Sequence, residues 1–299
     1  EERLEGGCER AGHGYTAPMK QESISERPTR VRAVQALSEA FMGQHPDTSL
    51  DPKGYVADFR DTLLPQVTLK DFEADLSSGD GNELQTKFRA AHSSSGLAVN
   101  CFAPFRSRIA DLAMPMAAGF DDLRFERKCP TGLRGGRAPN LDVVLSGPGG
   151  VVGIESKLTE HLSPHRAEFS PAYEEQIRDS RRDQGYFREM LRLRDRPDKY
   201  TWLDAAQLIK HAFGLARSFP DRPVTLLYLF WEPANPTAGP EFVAHRDEIE
   251  EFRARVAGSS PAFEAMSYPE LWRFWQDTEP ADWLVRHLSD LHARYGVTL

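Results

Sequence analysis

Apolar side chains recur at helical spacing near both ends of the chain. Val31, Val34, Leu37 and Phe41 predict a helix over residues 29–42. The same criterion predicts helices at 55–64, from 77–82 onward with Leu84, Phe88 and Ala91 as its stripe, at 202–219 with Thr201 as cap, and at 242–256, 268–275 and 283–295. A mostly polar segment over 163–196 is predicted to be a helical insertion.

Short apolar runs between these helices predict strands. Residues 120–129 alternate around Leu123 and Phe125, and residues 139–157 hold two β-branched runs on either side of a Ser-Gly-Pro-Gly-Gly turn, which is typical of an antiparallel hairpin. Residues 224–230 are almost continuously apolar, as expected of a strand buried on both faces. The order helix, three strands, helix, strand predicts an α/β (α+β) fold, with an αβββαβ core and a central mixed sheet flanked by helices.

Charged residues interrupt both strands of the hairpin. On the first strand, we expect Leu141, Val143 and Leu145 to point into the core, which turns Asp142 to the opposite face. On the second strand, alternation separates two sets of side chains. One face carries Val151, Gly153, Glu155 and Lys157, and the other carries Val152, Ile154 and Ser156.

The register of the hairpin decides whether its two carboxylates meet. Directly opposed residues of an antiparallel pair share a face, so Asp142 lies opposite Glu155 when Leu145 pairs with Val152. Pairing of Leu145 with Val151 would separate the carboxylates, unless a bulge shifted the register. The two carboxylates can therefore act on the same ligand only if the hairpin has the register that brings them together.

An acid on each of two neighbouring strands, followed by a lysine, favours a metal-dependent hydrolase. Carboxylate oxygens suit Mg²⁺ or Mn²⁺, and Lys157 would lie roughly 7 Å along the strand from Glu155, within reach of a metal-bound water. The alternative is a solvated ion pair, because Glu-x-Lys is a common tripeptide on exposed strands. The acid on the neighbouring strand and the surrounding elements favour the metal site.

Asp142 and the tripeptide Glu155-Ser156-Lys157 resemble the motif of the PD-(D/E)xK nuclease superfamily, which includes many restriction and repair endonucleases. The second half of the motif matches fully. In the first half, Asn140 and Leu141 separate Pro139 from the aspartate. The resemblance implies a restriction endonuclease-like αβββαβ core, Mg²⁺ or Mn²⁺ held by the two carboxylates, and an attacking water positioned by the lysine.

The resemblance implies two further site residues. Glu83, predicted in the first turn of the helix before the sheet, is similar to a glutamate that reaches the metal in the superfamily; an acid favoured there by the helix dipole is the alternative. Gln207 is similar to a glutamine that some members place on the helix after the hairpin, and solvent exposure is the alternative. Residues 92–96 and 100–102 also resemble stretches of bacterial restriction endonucleases.

Charge is distributed unevenly along the chain. The net charge of −8 argues against a protein that coats nucleic acid over its whole surface. The loop before Pro139 is basic, however, and predicts contacts with phosphates. Together with Gln207, the candidate DNA-contacting residues are Arg127, Lys128, Arg134 and Arg137. A second arginine-rich segment, residues 178–196, alternates with acids and predicts a solvated helix.

Several other classes of protein are disfavoured. No apolar run approaches the roughly 20 residues needed to cross a bilayer, and the polar amino terminus lacks a signal-peptide pattern, so we expect a cytoplasmic protein. Three widely spaced cysteines fit a reducing compartment. The glycine-rich turn lacks the Walker lysine of a phosphate-binding loop. Pro164 disfavours a helical zinc pair of His161 and His165. Residues 93–95 lack the nucleophile elbow of a serine hydrolase.

Together these patterns predict four regions. They are a tail over 1–28, a helical extension over 29–76, a nuclease core over 77–233 and a second helical extension over 234–299 packed on the core; within the tail, Met19 is an expected natural start. The predicted function is metal-dependent hydrolysis of DNA in restriction, defence or repair, and duplex cutting by one site per chain suggests a homodimer. The alternative is a catalytically inactive nucleic-acid-binding or scaffolding module with the same fold.

Overall fold

The computed structural model of the protein describes residues 27–78, 83–133, 138–173 and 184–299. Its helices are α1 (Thr29–Gln44), α2 (Glu73–Ser77), α3 (Ser94–Phe102), α4 (Gly185–Asp195), α5 (Ala205–Ser218), α6 (Pro240–Val256), α7 (Tyr268–Asp277) and α8 (Asp282–Tyr295). Its strands are β1 (Ala113–Met114), β2 (Ala117–Ala118), β3 (Asp122–Lys128), β4 (Asn140–Gly147), β5 (Gly150–Lys157), β6 (Val224–Phe230) and β7 (Ala262–Ser267).

Strands β3 to β7 form one five-stranded sheet in chain order. The pairs β3–β4 and β4–β5 are antiparallel, whereas β5–β6 and β6–β7 are parallel. Parallel neighbours need a crossover, and α5 and α6 supply the two that this sheet requires. The predicted α/β architecture, a central mixed sheet flanked by helices, is therefore confirmed.

Each face of the sheet is covered by its own hydrophobic core. On one face, Val152 and Ile154 pack with apolar side chains of α1, α3, α7 and α8. On the other, Val144 and Val151 pack with those of α4, α5 and α6. Strand β6 contributes alternate residues to both cores, as its continuous apolar sequence predicts. The hairpin β4–β5 thus lies in the middle of the molecule, with its charged residues at one end.

The helices predicted over 55–64 and from 77–82 onward are wrong for the described residues. Residues Phe59–Thr62, Glu83–Gln85 and Lys87–Arg89 form only short 3₁₀ turns, and residues 79–82 lie outside the described ranges. The reason is tertiary pairing. The Val56 N–H donates to the carbonyl of Arg89 at 3.0 Å, so both segments are drawn out of helical geometry.

Two further boundaries differ from the prediction. Strand β7 lies in a region predicted to contain only helices, and it completes the sheet beside β6. Helix α5 begins at Ala205 rather than at Trp202, because Asp204 and not Thr201 caps it: the Asp204 carboxylate accepts from the N–H of Gln207 at 2.9 Å. This cap sets the first residue of the helix that faces the charged end of the hairpin.

Gly214 allows α5 to lie close to the sheet. A Cβ at this position would collide with the carbonyl oxygen of Cys129, whereas a Cβ on Gly43 of α1 would meet no atom within 4 Å. We expect Gly214→Ala to lower the free energy of unfolding by about 1–3 kcal/mol through overpacking. The matched Gly43→Ala should raise it by up to about 1 kcal/mol. Urea unfolding measures both changes, and equal shifts would contradict the close approach.

Two buried histidines stack beneath β6. The rings of His161 and His245 lie 4.5 Å apart, and neither ring nitrogen of His161 has a hydrogen-bond partner. Nε2 of His245 lies 2.9 Å from the hydroxyl of Tyr228. Burial lowers the pKa of His161 to about 3, with Lys157 assisting and Glu160 opposing, and burial also lowers the pKa of His245. Both imidazoles are therefore neutral in the folded protein at pH 7.

None of the helices in the described ranges has the length and apolar character needed to span a bilayer.

Cys101 and Cys129 are buried and carry free thiols. Burial raises the pKa of both thiols, and for Cys129 hydrogen bonding to Ser218 opposes the shift. These two cysteines are packing residues rather than reactive ones, and Cys8 lies outside the described residues.

Candidate active site

The register of the hairpin brings the two carboxylates together. Leu145 pairs with Val152 and Val143 with Ile154, and Asp142 and Glu155 are the next residues beyond this pairing. The N–H of Ser156 donates to Asp142, which holds the aspartate next to Glu155. A two-residue turn between Gly147 and Gly150 fixes this register. Of the two registers considered from the sequence, the structure has the pairing of Leu145 with Val152, which lets both carboxylates act on the same ligand.

The faces of β5 divide as the alternation predicts. Val151 packs in the core under α5, whereas Val152 and Ile154 pack in the opposite core. The side chain of Glu155 accordingly reaches α5, and the hydroxyl of Ser156 lies 2.7 Å from that of Tyr268 in α7 on the other face. The charged end of the hairpin therefore opens toward α5.

The predicted orientation of Leu141 is wrong. Leu141 packs in the same core as Val144, not with Val143 and Leu145. The ladder between β3 and β4 is interrupted where Glu126 lies opposite Asp142, and Glu126 has a left-handed φ of 47°. The strand alternation changes phase at this point, which leaves Asp142 at the interruption.

Four side chains form a connected network at the end of β5. Lys157 Nζ donates to Glu155 Oε1 at 2.6 Å and to Gln207 Oε1 at 2.8 Å. Nε2 of His211, one turn further along α5, lies 2.9 Å from Glu155 Oε2. Gln207 is therefore at the candidate site and not solvated away from it. Because α5 supplies both partners, its position determines the geometry of the two β5 residues.

Charge and burial set opposite protonation tendencies for the two hairpin carboxyls. Glu155 is 2 % exposed, and burial alone would raise its pKa, but Lys157 and then His211 outweigh burial and lower the pKa to about 2. For Asp142, burial and the neighbouring Glu155 and Glu126 raise the pKa well above its ordinary value. The N–H of Ser156 donates to Asp142 Oδ2 at 2.6 Å, which opposes that shift only in part.

The pKa of Lys157 also departs from its ordinary value. Burial alone would lower it, but Glu155, Glu160 and Asp142 together raise it. The ammonium group is thus fully charged at neutral pH, and it is held among carboxylates at the end of a buried strand. A cation fixed in this way can orient or stabilise an anion but cannot act as a base.

Glu83 lies at the same site but not in a helix. It begins the 3₁₀ turn Glu83–Gln85, and the hydroxyl of Ser95 in α3 donates to its Oε1. Glu126 is a further carboxylate there: burial, then Glu83 and Glu155, raise its pKa to about 7. Asp142 therefore lies among several acids supplied by separate segments of the chain.

These residues line one cavity of about 850 Å³. Of the sequence-predicted site residues, the cavity brings together Asp142, Glu155, Lys157, Glu83 and Gln207. It does not include Arg127 or Lys128, and their predicted contact with DNA stays a prediction. Arg127 lies over the ring of Phe219, 4.8 Å from its centroid. Residues 134–137, with Arg134 and Arg137, lie outside the described ranges.

Sequence reasoning missed several residues of the cavity. Glu126, Glu160 and His211 line it, as do the cations Arg30, Lys87 and Lys210. His211 and Lys210 carried a usable signal, because they follow Gln207 by four and three residues and so lie near it on one helix. Glu126, Arg30 and Lys87 come from segments whose approach to β5 cannot be deduced from their spacing in the chain.

A family model described as restriction endonuclease associating with ARP matches residues 33–296. The chain belongs to this family. The match includes all five strands of the central sheet and most of the cavity residues, and it confirms the restriction endonuclease part of the resemblance drawn from the sequence. No curated protein and no solved structure matches the chain.

The donor chemistry of this restriction endonuclease-family cavity fits a hard divalent cation. The acids Glu83, Glu126, Asp142, Glu155 and Glu160 all line it, and carboxylate oxygens are preferred ligands of Mg²⁺ and Mn²⁺. Within the described ranges, however, no three His, Cys, Asp or Glu side chains are already grouped as a metal site. A cation between Asp142 and Glu155 would relieve the repulsion that raises the Asp142 pKa.

Proposed function

We propose that the protein is a metal-dependent endonuclease of the PD-(D/E)xK type that hydrolyses DNA phosphodiester bonds. The observation that carries this proposal is the register of β4 and β5, which sets Asp142 beside Glu155 with Lys157 on the same face of the sheet. Family membership supports a restriction endonuclease-like activity, and restriction or defence is the setting that the family description favours. Repair is the remaining setting.

The order of elements supports a restriction endonuclease-like core. Helix α3, strands β3, β4 and β5, helix α5 and strand β6 occur in the order αβββαβ, with the short pair β1–β2 added between α3 and β3 and α4 added between β5 and α5. We propose 77–233 as this core, 29–76 and 234–299 as extensions, and 1–28 as a tail. The second extension also contributes β7 to the sheet.

In the proposed site, Asp142 and Glu155 hold Mg²⁺, or Mn²⁺, and Glu83 holds the cation or its water shell. When bound, the cation would supply Lewis-acid stabilisation of the phosphate and a more acidic water. Lys157 positions the attacking water and stabilises the negative charge that develops on the phosphoryl oxygens. These roles need an ammonium group that stays charged, which the raised pKa of Lys157 ensures.

Two side chains of α5, Gln207 and His211, hold Lys157 and Glu155 in position. Gln207 accepts from Lys157 at 2.8 Å and so holds the ammonium when Glu155 turns to a cation. His211 lies at the other oxygen of Glu155, which fixes the plane of that carboxylate. The Asp204 cap orients the first turn of α5, on which Gln207 lies. The helix therefore limits the rotamers of both β5 residues before substrate binds.

A Mg²⁺ titration of thermal unfolding tests the proposed metal site. The wild type should gain about 2.7 kcal/mol when Mg²⁺ is at 100 times its Kd, and Asp142→Asn should abolish that gain. Without metal, Asp142→Asn should be more stable than the wild type at pH 7. The reason is that the Asp142 carboxyl has a higher pKa in the folded protein than in the unfolded chain. The wild type therefore loses stability as pH rises from the unfolded pKa to the folded pKa.

Asp247→Asn is the matched control, because Asp247 is an exposed acid on α6 that does not line the cavity. It should retain the Mg²⁺-linked gain. A wild type whose midpoint does not respond to Mg²⁺ or Mn²⁺ would favour the alternative, a nucleic-acid-binding or scaffolding module without catalysis. An equal response in Asp142→Asn would place the cation elsewhere.

A further inference from the structure

The cavity has an unusual distribution of charge. Five carboxylates line it, and within the described ranges Lys157 is the lysine or arginine that forms an ion pair with one of them. Arg30 on α1, Lys87 in a 3₁₀ turn and Lys210 on α5 line the same cavity, and none of the three makes an ion pair with an acid in the described parts of the chain. Lys210 Nζ lies 5.4 Å from the ring centroid of Phe169, which does not neutralise it.

Cations that line an acidic cavity without pairing with its carboxylates are available to an anionic ligand. An acidic floor repels a phosphodiester, so a polyanion enters such a cavity only if a cationic surface accompanies it. Arg30 and Lys87 are exposed, and Lys210 is partly exposed, so their charges are available to a ligand. The side chains come from three segments distant in sequence, which spreads the positive charge around the cavity.

The described part of the basic segment predicted from the sequence does not line the cavity with its cations. Arg127 lies over Phe219, and Arg124 pairs with Asp122 at 3.0 Å. Neither of them, nor Lys128, lines the cavity. The strand alternation around Glu126 directs that acid into the cavity and the neighbouring cations away from it.

We infer that Arg30, Lys87 and Lys210 form the phosphate-contacting surface that seats a nucleic acid backbone at the cavity. This inference rests on the proposed nuclease function and deepens it. It gives the amino-terminal helix α1 a part in substrate binding through Arg30. Each cation that contacts a phosphate releases counterions on binding, so its contribution is measurable as a salt dependence.

The test is fluorescence anisotropy with a fluorescein-labelled DNA duplex and its single strand, in EDTA so that no cleavage contributes. Log Kobs is measured against log salt between about 50 and 200 mM. Arg30→Gln, Lys87→Gln and Lys210→Gln should each reduce the magnitude of the duplex slope by about 0.9, and the single-strand slope by about 0.7. The triple variant should show nearly the sum.

Arg286→Gln on α8 and Lys70→Gln are the matched controls, because both residues are exposed cations outside the cavity. They should leave the slope unchanged, and circular dichroism should show every variant folded. Wild-type slopes in the triple variant, equal losses in the controls, or no binding by the wild type would overturn the inference. Plasmid cleavage separates the two proposals: reduced slopes without cleavage would reject the nuclease alone, and cleavage with unchanged slopes would reject this surface alone.

Discussion

Lys157→Ala should reduce metal-dependent cleavage of DNA by about 10²- to 10³-fold, the scale of removing one preorganised charge from a developing oxyanion. Lys157 is the cation held by Glu155 and Gln207 at the end of β5. In the proposed mechanism, its loss removes the group that positions the water and stabilises the transition state. Initial rates on plasmid DNA measure the effect, and Lys70→Ala, an exposed lysine outside the cavity, should cut at the wild-type rate.

The same substitution affects stability, so activity must be separated from folding. Removing Lys157 leaves Glu155, which is 2 % exposed, with His211 as its remaining ion-pair partner in the described part of the chain. A buried charge without its partner typically costs about 3–5 kcal/mol. The double variant Glu155→Gln and Lys157→Met removes both charges and should recover most of that stability while remaining inactive. Activity that returned with stability would show that Lys157 acts only through the fold.

His161→Phe should make the protein less sensitive to acid. In the wild type, the unfolded chain protonates His161 as pH falls below about 6.5, while burial keeps the folded ring neutral down to about pH 3. A group whose folded pKa is lowered in this way costs stability as pH falls, by up to about 1.4 kcal/mol per pH unit for each histidine. Replacement by an apolar ring of similar shape removes that cost.

Unfolding by urea between pH 7 and pH 5 measures this prediction, since most carboxyls remain ionised over that range. The free energy of unfolding should fall less steeply with acid in His161→Phe than in the wild type. His165→Phe is the matched control, because the side chain of His165 is 24 % exposed and lies outside the stacked pair. An identical slope in the wild type and His161→Phe would mean that His161 is protonated in the folded state.

The hairpin could be predicted because strand chemistry is local. Alternation along β5 assigns Glu155 and Lys157 to one face without reference to the rest of the fold, and a short glycine turn restricts the register. The same reasoning failed for Leu141, because the interruption at Glu126 arises from pairing with a third strand. Positions within one element were predictable, whereas a disturbance caused by its neighbour was not.

The helices, too, were predictable where their own sequence determines them and not where another segment pairs with them. Those over 240–256, 268–277 and 282–295 follow from their apolar spacing, since each packs one face on the core. Residues 83–91 have a helical stripe but form 3₁₀ turns, because the carbonyl of Arg89 pairs with the N–H of Val56. Strand β7 has few β-branched residues, and its pairing with β6 rather than its own propensity makes it a strand.

The candidate site was predictable in its centre but not around its rim. Asp142, Glu155 and Lys157 lie on adjoining strands and follow from the motif, and Gln207 and Glu83 follow from the resemblance. Glu126 and the cations Arg30 and Lys87 belong to segments that meet β5 only through the tertiary fold. The basic loop was the more visible charge in the sequence, yet Arg127 turns toward Phe219.

Incubation of supercoiled plasmid with the wild-type protein in Mg²⁺, in Mn²⁺ and in EDTA shows whether the β4–β5 hairpin carries a metal-dependent nuclease site. We expect nicking or linearisation with either metal, none in EDTA, and loss of cleavage in Asp142→Asn. Single-stranded and branched DNA extend the assay to substrates that a plasmid lacks. Failure to cut any of these DNAs with metal, or undiminished cutting by Asp142→Asn, would contradict a nuclease centred on the β4–β5 hairpin.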